Sequence, residues 1–233
     1  QEPEIIVPLP NETKKSFFNG INELLDSGPN QRFAVFQTMI LTNTVMAHGT
    51  SIEKFGLNIK YKQHFNLIGR VGENFVCETE RVVTGTNTLS TEDFLDCRVY
   101  AMLLDTILRF EPIREVFHFL DSISISYSTF AMALYKSIGS APADIKSCFN
   151  NFKNDLIDEM HDTEDAVIKY MEENEENYKY GRKGGGNLRY SNMLWINCFQ
   201  NSFRVIHYLS VKTLSVLTLS VPNKDPIVQL HAI

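Results

Sequence analysis

Residues 4–13 and 33–46, EIIVPLPNET and FAVFQTMILTNTVM, most constrain what this chain can fold into. Ile5-Ile6-Val7 is a short apolar run stopped by Pro8, the pattern of a strand covered on both faces. Residues 13–25 follow with Phe17, Phe18, Ile21, Leu24 and Leu25 at helical spacing, and Asn11 is placed to cap them. Gly28-Pro29 then breaks the chain, and a second apolar run begins at Phe33. The order is β-α-β. Strands over residues 5–7 and 35–40 should therefore lie adjacent and parallel, joined by a right-handed crossover. The first strand is already running at residue 4, so the chain is expected to be a fragment of something larger. Any site formed by its loops would be only half present, and an apolar face and an uncapped edge beside residues 5–7 should be exposed.

The later sequence changes character. Residues 47–75 are mixed and glycine-punctuated, and suggest a long connection with a short helix near residues 59–68. Residues 75–84 have the β-rich, partly alternating look of a strand. Ser90-Thr91-Glu92-Asp93 is a helix start, a serine cap with acids in the first turn. Helices are expected after it, one opened by Pro112, one over 127–138, and a long run from Pro142 carrying apolar residues as far as Met171. Glu172-Glu173-Asn174-Glu175-Glu176 is a solvated charge run, Arg182 to Asn187 a hinge, and residues 188–219 a last helix. The fold class is thus α/β and then mainly α, with a natural division into residues 1–89 and 90–233.

Composition removes several functions. With 43% hydrophobic residues among 233, a sizeable core is available. A net charge of −6 and no block of Lys or Arg weigh against broad nucleic-acid binding, which depends on phosphate neutralisation. Cys77, Cys97, Cys148 and Cys198 share no zinc or iron–sulfur spacing and are too sparse for a disulfide scaffold. They suit buried thiols in a reducing, cytoplasmic compartment. The start has no signal-peptide pattern, and residues 209–221 are too short and polar for a membrane span. No two histidines fall at i, i+4 on one helix, so a zinc-protease pattern is absent. Glu78 and Glu80 alternate along the later strand on one face, which suggests solvent exposure more than an acid–base pair.

EIIVPLPNETKKSFFNGINELLDSG followed by MILTNTVMA resembles the late barrel of radical S-adenosylmethionine enzymes, where a strand reads IxGLPGET and the next ends near LLPNTPM. VCETERVVTGTNTLSTEDFLDCR resembles the ExExVVxTxTMSxED stretch that follows the barrel in the branch associated with cobalamin-binding domains. ISYSTFAMAL is similar to that branch's ISYxxFY segment. The three patches lie in matching order over residues 4–135. Pro8 and Asn11 stand where the family has glycines, and Thr42 where it has proline.

The resemblance implies the last strands of a partial (β/α) barrel followed by a helical region that covers a small-molecule substrate. It also implies a 4Fe-4S cluster and S-adenosylmethionine in the intact enzyme, and in this branch cobalamin, with methyl transfer and rearrangement both open. The cluster's CxxxCxxC motif is not in this sequence, so no metal ligands are assigned here. Ile6, Leu9, Leu41 and Asn43 are the positions the resemblance places at the S-adenosylmethionine pocket, with Glu12 as a loop-ordering carboxylate. Glu4 stands apart, because a charge within a strand is costly unless paired or turned into a polar interior. It is either a cofactor- or substrate-facing carboxylate or part of a frayed, exposed strand. A reading from another class stays open: a non-catalytic helical module in which residues 90–233 bind a protein partner.

Overall fold

The computed structural model describes residues 3–28, 33–109, 111–141 and 143–179. Strand β1 (Glu4–Val7), helix α1 (Lys14–Asp26) and strand β2 (Ala34–Gln37) form the expected unit. The two strands pair in parallel, with Ile5 opposite Val35 and Ile6 opposite Phe36. Helix α1 is capped by Thr13, not Asn11. The Thr13 hydroxyl accepts from the Ser16 N–H at 3.0 Å, and the Thr13 N–H donates to Ser16 Oγ at 2.9 Å. Asn11 instead takes a left-handed conformation with φ of 64°, which asparagine tolerates better than most residues and which glycine would adopt freely.

The second strand is shorter than residues 35–40 because the chain changes partner at its end. Thr38 still donates its N–H to Val7 O at 3.0 Å, but the Val83 N–H then donates to Thr38 O at 2.9 Å. The Ile40 N–H completes the switch by donating to Arg81 O at 2.8 Å. The parallel pair is thereby stitched, antiparallel, to a second sheet.

That sheet corrects the expectation for residues 47–75. A short helix α2 (Gly49–Phe55) is followed by strand β3 (Asn58–Val71), with no helix near residues 59–68. Strand β4 (Asn74–Gly85) returns antiparallel to β3. The hairpin turns in two residues, and Gly72 at its tip has φ of 65°, as tight hairpin turns require. Cross-strand pairing fixes β3.

Helix α3 (Thr91–Arg109) starts as expected: Ser90 Oγ accepts from the Asp93 N–H at 3.1 Å. It is the central element, with Phe94, Tyr100, Met102 and Leu104 fully buried. Around it lie α1, β2, β4, α4 (Glu111–Ser122), α5 (Tyr127–Ser137) and α6 (Ala143–Asp158). One apolar cluster joins Val7, Phe17, Ile21 and Val35 of the β-α-β unit to Phe117, Phe130 and Phe152 of the helices. Phe18 stacks on Tyr100 at 4.4 Å and meets Tyr135 edge-on at 5.4 Å.

The run after Pro142 is not continuous. It divides into α6, α7 (Glu164–Glu173) and α8 (Glu175–Lys179). At the break His161 forms a two-bond bridge with Tyr61 of β3, both bonds 2.8 Å, and Thr163 caps α7 by accepting from the Ala166 N–H. The hinge at residues 182–187, the helix expected over 188–219 and Cys198 lie outside the described residues. No helix of the described residues is long and apolar enough to cross a membrane.

Candidate functional site

Pleating gives β1 and β2 two different faces. Ile5, Val7 and Val35 pack into the core, while Glu4, Ile6, Ala34 and Phe36 turn away from it into an open groove of about 930 Å³. Leu9, Met39, Leu41 and Met46 extend this wall from the loops that follow the strands. It is strongly apolar for an open surface: Ile6 is 45% exposed, Phe36 49% and Leu41 58%.

The opposite wall comes from two elements. Lys62, Gln63 and His64 of β3 and Glu80 of β4 supply polar groups. Met160, Val167, Tyr170, Met171 and Tyr178, from the α6–α7 junction, α7 and α8, supply a thioether- and aromatic-rich surface. His161 sits just behind, its ring 4.8 Å from Tyr170, and burial pulls its pKa below the ordinary value against the nearby Asp158 and Asp162.

The structure brings four of the sequence-derived positions to the groove: Glu4, Ile6, Leu9 and Leu41. The other two lie outside its lining. Glu12 accepts the Leu9 N–H on Oε2 at 3.2 Å, and its own carbonyl accepts from Thr88 Oγ1 at 2.6 Å. Burial raises the Glu12 pKa and the Leu9 bond offsets part of that rise. Asn43 is exposed in the turn after β2, with φ of 65°, beside the 3.3 Å bond from the Thr44 N–H to Leu41 O.

Sequence reasoning missed the polar wall. The Glu78–Glu80 pair divides: Glu78 is exposed, but the Glu80 side chain is only 12% exposed. Its Oε1 lies 3.1 Å from Lys62 Nζ and its Oε2 2.6 Å from His64 Nδ1. Lys62 faces Glu80 directly across the hairpin, and the ladder becomes irregular after Gln63, where His64 stands. Ladder irregularities of this kind re-aim side chains. The only available signal was the register of the hairpin, which required recognising β3 first.

Arg98, another groove residue, is 8% exposed and donates from Nη1 to Val35 O at 2.9 Å. Burial draws its pKa down to about 10, opposed by Glu159. The guanidinium stays charged and pins β2 to α3. Thr38 fixes the neighbouring loop by donating from Oγ1 to Pro8 O at 2.6 Å.

The three described thiols, Cys77, Cys97 and Cys148, are free and at least partly buried. Burial pushes Cys97 up to about 12 and Cys148 up to about 11, and raises Cys77, so all three are protonated near neutral pH. Among the described residues, no group of three or more His, Cys, Asp or Glu side chains is placed to hold a metal ion. A cluster does not fit the described residues, and the β1–β2 face offers apolar side chains in place of ligating groups.

No protein-family model matches the chain. It is similar to the cobalamin-dependent radical SAM methyltransferase TokK of Streptomyces tokunonensis, 31% identical over 94 residues. It is also similar to the 2-(S-pantetheinyl)-carbapenam-3-carboxylate methyltransferase of Streptantibioticus cattleyicolor, 30% identical over 95 residues. Each match covers 40% of this chain and only 14% of the relative's length. Both distant partial relatives are methyltransferases by name, and TokK is a cobalamin-dependent radical SAM one. The fold is mixed α/β with few strands and mostly helices, and among the described residues no barrel closes.

Proposed function

We propose that this chain supplies the late strands and the substrate-covering helical region of a radical S-adenosylmethionine enzyme of the cobalamin-associated branch. Residues 1–89 would carry the barrel part and residues 90–233 the covering part. Methyl transfer is the reaction favoured, because both relatives bear that activity in their names.

One observation carries the reading. The parallel β1–β2 pair buries one face against α1 and α3 and presents the other, through Ile6, Phe36, Leu9 and Leu41, to an open groove. A barrel strand does the same: helices cover its outer face, and its inner face and following loops meet the ligand. In this reading Ile6, Leu9 and Leu41 flank the adenine of S-adenosylmethionine and exclude water from it. Asn43 and the backbone of its turn border the same site. Glu12 holds the Leu9 loop in shape through the bond to the Leu9 N–H. Glu4, on the groove face of β1, is a carboxylate for a polar group of cofactor or substrate.

The cluster, bound by another part of the intact enzyme, would supply the electron that cleaves S-adenosylmethionine, with cobalamin as a further cofactor. This chain's residues bind, orient and shield. The test is to load the intact protein with iron and sulfide under reducing, anaerobic conditions and measure methionine released from S-adenosylmethionine. Turnover with a bound cluster is the expected result. A protein that takes up no cluster and releases no methionine would overturn the proposal and favour the helical interaction module.

A further inference from the structure

The polar wall of the groove has a hydrogen-bonding sign of its own. Glu80 is the acceptor of a Lys62–Glu80–His64 cluster, and each of its two carboxylate oxygens already faces a cation or imidazole nitrogen, at 3.1 and 2.6 Å. Its capacity toward a ligand is therefore largely used. Lys62 is in the opposite position. An ammonium has three donors and no acceptor, and Glu80 engages one of them. The His64 ring, 42% exposed, keeps its second nitrogen for another partner. With Nδ1–H donated to the Glu80 carboxylate, that second nitrogen accepts in the neutral ring and donates only in the imidazolium, so among the described residues the standing donors of this corner are those of Lys62, on a largely buried counter-charge.

The surroundings sharpen that sign. The Lys62 side chain is only 26% exposed and shares the groove with Met160, so an anionic group at Lys62 meets a partly desolvated donor and not a fully hydrated one. The groove's other acidic members come from other elements: Glu159 acts on Arg98, Asp105 lies on α3, and Glu4 lies on β1. An ordinary cross-strand ion pair would explain Lys62 opposite Glu80. It would not require a second nitrogen donor brought to the same carboxylate at the point where the ladder becomes irregular.

We infer that Lys62, held by Glu80 and bordered by the His64 ring, forms an anion-binding corner that takes the carboxylate or phosphate oxygens of a small-molecule ligand whose apolar part lies on the Met160 side of the groove. This deepens the proposed function by naming a chemical class for the substrate, and rests on that reading only in taking the groove as the substrate's place. Binding needs neither the cluster nor turnover, so it is tested separately from cofactor cleavage.

The experiment is a titration of the intact protein, without cluster loading, followed by NMR of carbon-labelled histidine with His64 assigned through His64→Gln. Three probes share one ring: phenylacetate, phenyl phosphate and neutral phenylacetamide. The expected result is a saturable shift of the His64 signal with one or both anions and none with the amide. The stronger anion identifies the group. Lys62→Met should weaken anion binding by about tenfold or more, the usual consequence of losing one charge-assisted hydrogen bond, and Lys62→Arg should restore most of it. Glu80→Gln should tighten it severalfold by removing the competing negative charge. Equal binding of the amide, no response to either anion, or a Glu80→Gln loss as large as that of Lys62→Met would overturn the inference.

Discussion

The two walls of the groove are held in place by different forces. Behind β1 and β2 lies a continuous apolar cluster that runs from Val7 and Ile21 through Tyr100 to Phe130 and Phe152. Beneath the β3–β4 hairpin the described residues form a smaller one, built on Ile40, Leu57 and Val83. The hairpin and the segment that follows α6 are joined instead by polar links. Lys60 pairs with Asp162, Thr79 Oγ1 donates to Glu164 at 2.7 Å, and Arg70 reaches Glu175 at 2.9 Å and Glu172 at 3.6 Å. Apolar burial gives a wall that fails as a unit, while exposed polar links give one that yields locally and responds to salt. The wall proposed for the common cofactor is thus the rigid one, and the wall that would distinguish substrates is the adjustable one.

The largest effect that could break this contrast is in the core. Phe130→Ala should cost about 3–5 kcal/mol, measured by denaturant unfolding, because Phe130 is fully buried and its loss leaves a cavity. Next comes Arg98→Leu, which removes the partner of a β2 carbonyl and should cost about 1–3 kcal/mol. Hydrogen exchange should show that loss at β2 and not in the hairpin.

Asp96 gives a smaller and pH-dependent effect. It joins α1 to α6 through Lys14 Nζ at 2.6 Å and Lys153 Nζ at 3.2 Å. Burial alone would raise its pKa, but the two ammonium groups together hold it below the ordinary 3.8. Its contribution is therefore complete above that value and is lost as pH falls through the lower folded-state pKa. Asp96→Asn should cost about 1–2 kcal/mol at neutral pH, given partial exposure of the pair, and the difference from wild type should shrink in acid below pH 3.8. Smallest is Arg70→Ala, expected to leave global stability essentially unchanged because the ion pairs are solvent-exposed. Its effect should appear as faster exchange at the hairpin tip, fading at high salt. A core-sized loss there would mean that the two walls are not held differently.

The legible and illegible parts of the sequence divide along the same line. Ile5 and Val7, the Phe17–Leu25 stripe and Ser90-Thr91-Glu92-Asp93 are local signals that the structure follows, whereas Ile6, expected in a strand covered on both faces, is 45% exposed because only one face of β1 meets the core. Residues 59–67 do carry a period-two alternation, Ile59, Tyr61, Phe65 and Leu67 against Lys60, Lys62, His64 and Asn66, which the expectation of a helix near residues 59–68 passed over. Their strand is set by pairing with β4, a nonlocal fact. The break between α6 and α7 was marked by Thr163-Glu164-Asp165, a good cap, but Ile157, Met160 and Val167 keep an apparently helical spacing across it. For the site, Ile6, Leu9 and Leu41 came from the family resemblance, while Lys62, His64 and Glu80 had no readable facing until the hairpin register was known.

The claim that the β1–β2 face receives S-adenosylmethionine is tested most directly by adding one charge at two exposed apolar positions and comparing the cofactor's KM. Leu41 lines the groove; Val71, 71% exposed at the hairpin tip, does not. In the loaded intact protein, Leu41→Glu should raise KM for S-adenosylmethionine about tenfold or more, since a carboxylate in an apolar contact must be desolvated, and Val71→Glu should leave it unchanged. Equal KM values for the two variants and wild type would contradict a cofactor-facing β1–β2 wall.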